Sequence, residues 1–211
     1  MPLWIVQQPL VLASKSDIRG KILAAAGLRF GIRPAQIDER AVEAQSDERA
    51  VEAQSNAADA NAVARLLAKA KATAVAAQMP GHIVLGADQT LAYGNTRLTK
   101  PVNRDDAASQ LRSLRGRTHE LHSGIAVVRD GEVLFELVDT ARLTMRDFSD
   151  RFLDDYLDMT GDVATTSVGA YQLEGIGIHL FERVEGDYFT ILGLPLLPLL
   201  KFLRDSGYVD G

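Results

Sequence analysis

LVLASKSDIRG, residues 10–20, leads from a short apolar run into the first turn of a helix. The run predicts a buried strand, and Ser16 is a typical N-cap for a helix that Gly27 can end. Because the first amides of a helix carry partial positive charge, they predict an anion site together with the side chains of Ser14, Ser16 and Arg19. A phosphate fits this site, and the alternative is an ordinary capped helix after a strand.

The composition describes a chain with a large core and no cysteine chemistry. Its 211 residues are 46% hydrophobic, which is enough for one domain or for one domain with two lobes. Cysteine is absent, which excludes disulfides, thiolate metal sites and cysteine nucleophiles. The net charge of −5 argues against nucleic acid as a partner, because phosphate backbones require a basic surface. No run approaches the roughly 18 apolar residues of a membrane span and no signal peptide is recognisable, so we expect a soluble cytoplasmic protein.

The nonapeptide DERAVEAQS occurs twice in tandem, at residues 38–46 and 47–55. Nine residues turn a helix by about 900°, so the two copies would place their apolar residues on opposite faces of one helix. Both copies therefore cannot pack alike. We predict a duplicated insertion, at least one copy of which is a surface loop or frayed helix, within a single domain of residues 1–211.

Helical and β patterns alternate along the chain, which predicts an α/β fold with a mixed sheet. Helices are predicted at residues 56–78, 104–115 and 150–159, and in a last apolar segment that opens at Leu194-Pro195. Strands are predicted at residues 28–33, 82–88, 118–129, 132–146 and 175–193, with a hairpin over residues 91–100.

Asp88 ends the predicted strand HIVLGAD, and α/β folds place chemistry at such strand ends. The alternative is a structural cap before a turn. The hairpin that follows, about Gly94-Asn95, would bring Lys100 back toward Asp88. His119 and His122 are an odd number of residues apart on a strand, so they point to opposite faces and cannot hold one metal ion together.

Nine short motifs, in one order along nearly the whole chain, resemble the Maf family of nucleoside triphosphate pyrophosphatases. They are LASKS-x-x-R (residues 12–19), IDE (37–39), LAKAKA (67–72), LGAD (85–88), TKP (99–101), GRTHELHSG (116–124), GAY (169–171), ERVEGDY (182–188) and GLPL (193–196). The resemblance implies an elongated Maf/ITPase-like mixed sheet with flanking helices and two lobes around a central cleft. It also implies a homodimer, a divalent metal cation (Mg²⁺ or Mn²⁺), and hydrolysis of a nucleoside triphosphate to the monophosphate and pyrophosphate.

The resemblance assigns roles to residues that are otherwise ordinary capping or surface residues. A triphosphate carries close to four negative charges, which cations and fixed donors must hold. The implied substrate clamp is Ser14, Ser16, Arg19, Lys71 and Lys100. Asp88 is the implied catalytic residue, which orients or deprotonates the attacking water, and Asp88 and Glu39 are the implied metal ligands. The alternative for Glu39 is a surface residue at the edge of the duplicated segment.

Three positions bear on the choice of base, namely Ile18, Gln89 and Glu174. Gln89 and Glu174 resemble the 7-methyl-GTP pyrophosphatase branch of the family, whereas Thr and Gln mark the dTTP/UTP branch. A guanine edge presents two adjacent donors, to which a carboxylate offers two acceptors. Ile18 replaces the tryptophan or similar side chain expected at the third position, so stacking is absent there.

The chain also departs from the commoner family pattern in its cations. Asp17 and Ile18 stand where many members have Pro and Arg, and Ser167 stands where a Lys is usual.

Three alternatives to a 7-methyl-GTP pyrophosphatase are open at this point: a dTTP/UTP pyrophosphatase, a nucleotide-binding regulator of septum formation without turnover, and a phosphohydrolase that releases orthophosphate.

Overall fold

The protein is described here by a computed structural model that covers residues 3–44 and 60–210. Within these ranges the strands are β1 (Leu10–Leu12), β2 (Phe30–Ile32), β3 (Val84–Tyr93), β4 (Thr96–Leu98), β5 (Thr118–Arg129), β6 (Glu132–Met145) and β7 (Phe181–Glu185). They form one mixed sheet in the order β2-β1-β3-β5-β6-β7, with β4 beside β3. The predicted α/β class with a mixed sheet is confirmed.

Helices pack on both faces of this sheet. They are α1 (Asp17–Ala25), α2 (residues 39–44), α3 (Ala60–Ala76), α4 (Arg104–Leu114), α5 (Asp150–Thr160), α6 (Tyr188–Ile191) and α7 (Leu196–Asp205). Short 3₁₀ segments cover Gly161–Thr165, Val168–Ala170 and Ile176–Leu180. In the described part of the chain, no helix is both long enough and apolar enough to cross a bilayer. The second copy of the duplicated nonapeptide, and residues 56–59 of the predicted alanine-rich helix, lie outside the described residues.

The prediction that strand β3 ends at Asp88 is wrong, because the strand continues to Tyr93. Side chains continue to alternate between the two faces of the sheet past Asp88. Leu91, for example, is fully buried on the face opposite Thr90. Strand β5 pairs with one edge of β3 over residues 84–92. On the other edge, β1 pairs with Val84 and Leu85, and β4 pairs only from residue 91 onward. Residues 86–90 thus have no strand partner on this edge among the described residues, and we call this stretch the sheet gap.

The strand predicted over residues 175–193 is wrong except at β7. Gly186 ends the strand with φ +122°, where a Cβ atom would lie 2.9 Å from the Cα atom of Ala141. Asp187 then caps α6, since its Oδ1 accepts hydrogen bonds from the amides of Phe189 and Thr190 at 3.0 and 3.1 Å. A short capped helix therefore replaces the second half of the predicted strand.

Helix α3 packs closely on β3 and β5 because both strands carry glycine at the contact. A Cβ atom on Gly124 would lie 2.5 Å from the carbonyl oxygen of Ala64, and one on Gly86 would overlap the carbonyl oxygen of Ala68. The helix presents alanines to these glycines, so backbone meets backbone. This close approach brings the side chain of Lys71 to the sheet gap.

We expect Gly86→Ala to destabilise the protein by roughly 1–3 kcal/mol, because α3 must move to admit the methyl group. A loss of that size corresponds to a melting temperature lower by several degrees in a chain of this length. Gly31→Ala is the control, since a Cβ atom at Gly31 meets nothing within 4 Å. Thermal unfolding followed by circular dichroism measures both. Equal melting temperatures for the two variants would contradict the packing argument.

His119 and Tyr171 form a buried polar pair in the core of the opposite end of the sheet. The Nε2 atom of His119 lies 2.7 Å from the Tyr171 hydroxyl oxygen. Its Nδ1 atom is buried and makes no hydrogen bond within the described ranges. Burial lowers the pKa of His119 from 6.5 to about 4. His122 instead lies 2.9 Å from the Thr140 hydroxyl on the other face, so the prediction that the two histidines point apart is confirmed.

The pair predicts a pH dependence of stability. Between about pH 6.5 and pH 4 the unfolded chain protonates His119 while the folded chain does not, so the free energy of unfolding falls as pH falls through this window. The loss from this residue approaches about 3 kcal/mol below pH 4 and is absent above pH 6.5. We expect His119→Gln to flatten the dependence and the exposed control His179→Gln to retain it. Urea unfolding at several pH values is the measurement, and identical slopes for both variants would refute the assignment.

Candidate active site

The guanidinium of Arg19 lies at the sheet gap and extends the hydrogen-bond ladder of β1. Backbone amides of β1 and of the residue after it donate to the carbonyls of Ile83 and Leu85 at 2.9 and 2.8 Å. The next carbonyl on the same edge belongs to Ala87 and accepts from Arg19 Nη1 at 2.8 Å. The Arg19 guanidinium thus donates where the next backbone amide of a longer β1 would donate.

The other bonds of Arg19 tie the strand-to-helix turn to the C-terminal part of the chain. Nη1 also donates to Ser14 Oγ at 3.1 Å, and Nε donates to the Gly193 carbonyl at 2.8 Å. Burial lowers the pKa of Arg19, and the negative charges of Asp88 and Glu39 oppose this shift. Nη2 makes no hydrogen bond with any described residue, so one amino group of the guanidinium is left for an anion.

Ser16 begins α1 as predicted, but its hydroxyl does not cap the helix. Instead its backbone amide donates to Ser14 Oγ at 3.2 Å, so Ser14 accepts from both Ser16 and Arg19. The Ser16 hydroxyl makes no hydrogen bond in the described part of the chain. It lies at a helix N-terminus, where the amide groups and the hydroxyl together suit an anion.

Lys71 joins two carboxylates at the edge of this site. Its Nζ lies 2.6 Å from Asp88 Oδ1 and 2.9 Å from Glu39 Oε1. The side chains of Lys71 and Asp88 are 12% and 11% exposed, whereas that of Glu39 is 53% exposed. Burial raises the pKa of Asp88, and the positive charges of Lys71 and Arg19 oppose the rise. Asp88 is therefore a carboxylate whose proton affinity is higher than that of an exposed aspartate.

Glu39 reaches this site because the IDE motif at residues 37–39 leads into helix α2. Asp38 Oδ1 accepts a hydrogen bond from the amide of Ala41 at 3.1 Å, which is the usual N-cap contact. Glu43, one turn further along α2, lies 3.4 Å from Arg97 on β4. The first copy of the duplicated nonapeptide thus supplies both the cap and the site carboxylate.

The donor set at this position fits a divalent cation that is shared with a substrate. Asp88 Oδ2 and Glu39 Oε2 accept no hydrogen bond from the described residues, and both are hard oxygen ligands. Mg²⁺ commonly takes one or two carboxylates and completes its shell with water and substrate phosphates. A closed protein site is absent, since no group of three or more His, Asp or Glu side chains in the described ranges is placed to hold a metal ion.

Lys100 and Ile18 are among the predicted site residues that are not brought into these contacts. The register of the hairpin, Leu98 opposite Leu91, directs the chain after β4 back along β3 toward Asp88. Lys100 nevertheless remains exposed and makes no ion pair with a described residue. Ile18 is half-buried and packs against the apolar cluster beneath α1, as a core residue does.

Gln89 lies beside Asp88 but points to the opposite face of β3. Its Nε2 lies 2.9 Å from Ser123 Oγ, 3.1 Å from the Thr190 carbonyl and 3.0 Å from the Ile191 carbonyl. The sheet gap therefore has an acid on one face and an amide on the other.

Glu174 is exposed in the turn at residues 173–175 and makes no hydrogen bond or ion pair with described residues. The 3₁₀ segment before this turn contacts β3, since a Cβ atom on Gly169 would lie 2.6 Å from Leu91 Cδ1. Leu91 and Gln89 share one face of β3. The segment that leads to Glu174 thus covers the face on which Gln89 lies.

Sequence reasoning missed the residues that hold Arg19 and Gln89 in place. Ser123 carried a signal, because a fully buried polar residue within an apolar strand needs a partner. The carbonyls of Gly193 and Thr190 carried none, since a backbone acceptor has no signature in the sequence.

Comparisons with known proteins show what this chain is similar to. The family model described as Maf-like protein matches residues 9–206. A protein of Nitrobacter winogradskyi named nucleoside triphosphate pyrophosphatase is 53% identical over 206 residues, which are 98% of each chain. A protein of Rhizobium etli named 7-methyl-GTP pyrophosphatase is 50% identical over 202 residues, 96% of this chain and 98% of that one. A solved HAM1 protein from Coxiella burnetii is remote, with 14% identity, a TM-score of 0.36, and coverage of 66% of this chain and 73% of that one. The family match and the two bacterial relatives, which extend over nearly every residue, establish that the chain belongs to the Maf family.

Proposed function

We propose that this Maf-family protein hydrolyses a guanine-type nucleoside triphosphate, with 7-methyl-GTP as the preferred substrate, to the monophosphate and pyrophosphate. The coarser activity, nucleoside triphosphate pyrophosphatase, is the name of the relative with 53% identity over 98% of the chain. The observation that carries the proposal is the buried Asp88 carboxylate, 2.6 Å from Lys71 and beside a guanidinium with an unused amino group.

The phosphates are held by donors that the folded chain leaves free. Arg19 Nη2, the Ser16 hydroxyl and the first amides of α1 all lie at the strand-to-helix turn. Lys71 has three N–H donors and uses two on Asp88 and Glu39, so one is left for a phosphate oxygen. Lys100, exposed at the end of the hairpin, completes the proposed clamp.

Asp88 is the proposed base for the attacking water. Since burial raises its pKa, the carboxylate accepts a proton more readily than an exposed aspartate does, and the fixed Lys71 ammonium holds it in one orientation. Asp88 and Glu39 would hold Mg²⁺ or Mn²⁺, and the ion would supply positive charge that polarises the phosphoryl group. The remaining charge of the transition state falls to Arg19 and Lys71.

The proposed recognition of the base rests on the two carboxylate oxygens of Glu174, which both accept hydrogen bonds. Glu174 is exposed and unpaired among the described residues, so its carboxylate is free to accept from the two adjacent donors of a guanine edge. Uracil or thymine would instead place a carbonyl against it, at a cost of roughly 1–3 kcal/mol. The name of the Rhizobium etli relative supports the same choice.

We expect Asp88→Asn to lower kcat by about 10²–10⁴-fold with the fold intact, because an amide cannot take the proton. In the unaltered protein, kcat/KM should fall on the acid side of its pH profile at a pH above 3.8, the ordinary aspartate value, since the free carboxylate has a raised pKa. Quantifying monophosphate and pyrophosphate tests both, with the exposed Asp154→Asn as control. Near-normal turnover by folded Asp88→Asn would remove Asp88 from the mechanism. Orthophosphate as the first product would exclude a pyrophosphatase.

We expect Glu174→Gln to change the preference among substrates and to retain turnover. Replacing one acceptor by a donor should lower kcat/KM for 7-methyl-GTP and GTP relative to UTP and dTTP by about 10-fold, the equivalent of ~1.4 kcal/mol. Adding Gln89→Thr should move the ratio further in the same direction. Glu182→Gln, an exposed glutamate on β7, is the matched control. If the unaltered protein prefers UTP or dTTP, or if all four substrates decline in proportion, the dTTP/UTP alternative replaces the proposal.

A further inference from the structure

The amide of Gln89 has one orientation that satisfies its surroundings. Its Nε2 lies within 3.1 Å of three oxygens, two of which are the backbone carbonyls of Thr190 and Ile191. Carbonyls accept only, so turning the amide over would place its Oε1 against two acceptors. The third oxygen, Ser123 Oγ, donates its one proton to the Thr190 carbonyl at 2.7 Å and can only accept from Gln89. All three oxygens that surround Nε2 therefore require an N–H donor from Gln89.

The Ile191 carbonyl is available because α6 is only four residues long, whereas the Thr190 carbonyl also accepts from the Gly193 amide at 3.0 Å. The last carbonyls of a helix have no amide partner one turn further on, and Gln89 supplies the missing donor for that of Ile191. Thr190 is fully buried, and its hydroxyl donates to Asp139 Oδ2 at 2.5 Å. The second oxygen of Asp139 accepts from the Thr140 amide at 3.0 Å. This chain of bonds fixes the carbonyl end of α6 to β6.

This orientation of the amide also fixes the direction of its oxygen, Gln89 Oε1. Since Nε2 is directed inward, Oε1 is turned away from the two carbonyls, and it accepts no hydrogen bond from any described residue. The side chain is half-buried, so it is in part accessible at the sheet gap. Gln89 thus offers an acceptor, and no donor, to a molecule bound there.

We propose that Ser123, Thr190 and Asp139 are positioning residues for base selection, which fix Gln89 so that its Oε1 accepts a hydrogen bond from an amino group of the nucleotide base. This inference rests on the proposed function. Guanine carries such a group at position 2, whereas hypoxanthine, otherwise the same base, has only hydrogen there. Gln89 and Glu174 together then present acceptors alone, which matches the donor-rich edge of guanine and mismatches the carbonyls of uracil.

The same short helix connects base selection to the phosphate site. Two residues after Ile191, the Gly193 carbonyl accepts from Arg19 Nε at 2.8 Å. A Cβ atom on Gly193 would lie 3.2 Å from the guanidinium, so glycine, at φ +87°, allows this close approach. The segment from α6 to Gly193 therefore contacts Gln89 with its carbonyl end and Arg19 with the residue that follows.

The test compares GTP with ITP, which differ only in the 2-amino group. For the unaltered protein we expect kcat/KM to favour GTP by about 10-fold. Ser123→Ala and Thr190→Val should each reduce this ratio to within about threefold of one, with GTP losing more than ITP. Thr190→Ser keeps the hydroxyl and should keep the ratio. Thr118→Val is the matched control on β5, since that exposed hydroxyl hydrogen-bonds, among the described residues, to Thr144 alone.

The outcomes separate the positioning role from a structural one and from the proposed function. A proportional decline of GTP and ITP in both Ser123→Ala and Thr190→Val, or an equal change in Thr190→Ser and Thr190→Val, would overturn the inference. A ratio near one in the unaltered protein with efficient pyrophosphate release would overturn it and leave the proposed function standing; this comparison needs no variant, so it decides even if the buried substitutions prevent folding. The absence of pyrophosphate release from every triphosphate would overturn both.

Discussion

The hydrogen bond from Arg19 to the Ala87 carbonyl is the contact on which the site depends. Strand β3 is paired along the whole of one edge, but on the other edge its partners change from β1 to β4 and leave residues 86–90 open. These residues are largely buried, and a buried carbonyl without a partner is costly. A guanidinium that satisfies the carbonyl also brings fixed positive charge to the centre of the sheet. One interaction therefore satisfies a buried carbonyl and places a positive charge beside Asp88.

The packing of α3 determines the electrostatics of that site. Glycines on β3 and β5 allow the helix backbone to approach the sheet, and Lys71 consequently meets Asp88 in a place with little solvent. In such surroundings burial acts against the charged forms of both Asp88 and Arg19, and the neighbouring opposite charges counteract it. The result is a set of opposite charges that compensate one another.

Sequence reasoning predicted those features that depend on neighbours in the chain. The predicted starts of α4 and α5 are confirmed, because the side chains of Asn103 and Ser149 accept hydrogen bonds from amides three residues ahead. The predicted end of β3 was wrong, because the length of this strand depends on which strands lie alongside it. The continuous strand predicted over residues 175–193 was also wrong, because the break in it depends on contact with Ala141, far away in sequence. The resemblance to a family brought Arg19, Lys71 and Asp88 together as a hypothesis. It could not indicate that the contacts of Arg19 and Gln89 are largely backbone carbonyls, which any sequence possesses.

The sheet gap also bears on association of the protein with itself. An unpaired sheet edge is a template for another strand, and natural proteins protect such edges with charge, with covering segments or with short length. Here the open edge is five residues long, and Arg19 places a cation on its Ala87 carbonyl. Arg19 is thus also a gatekeeper against intermolecular β-pairing.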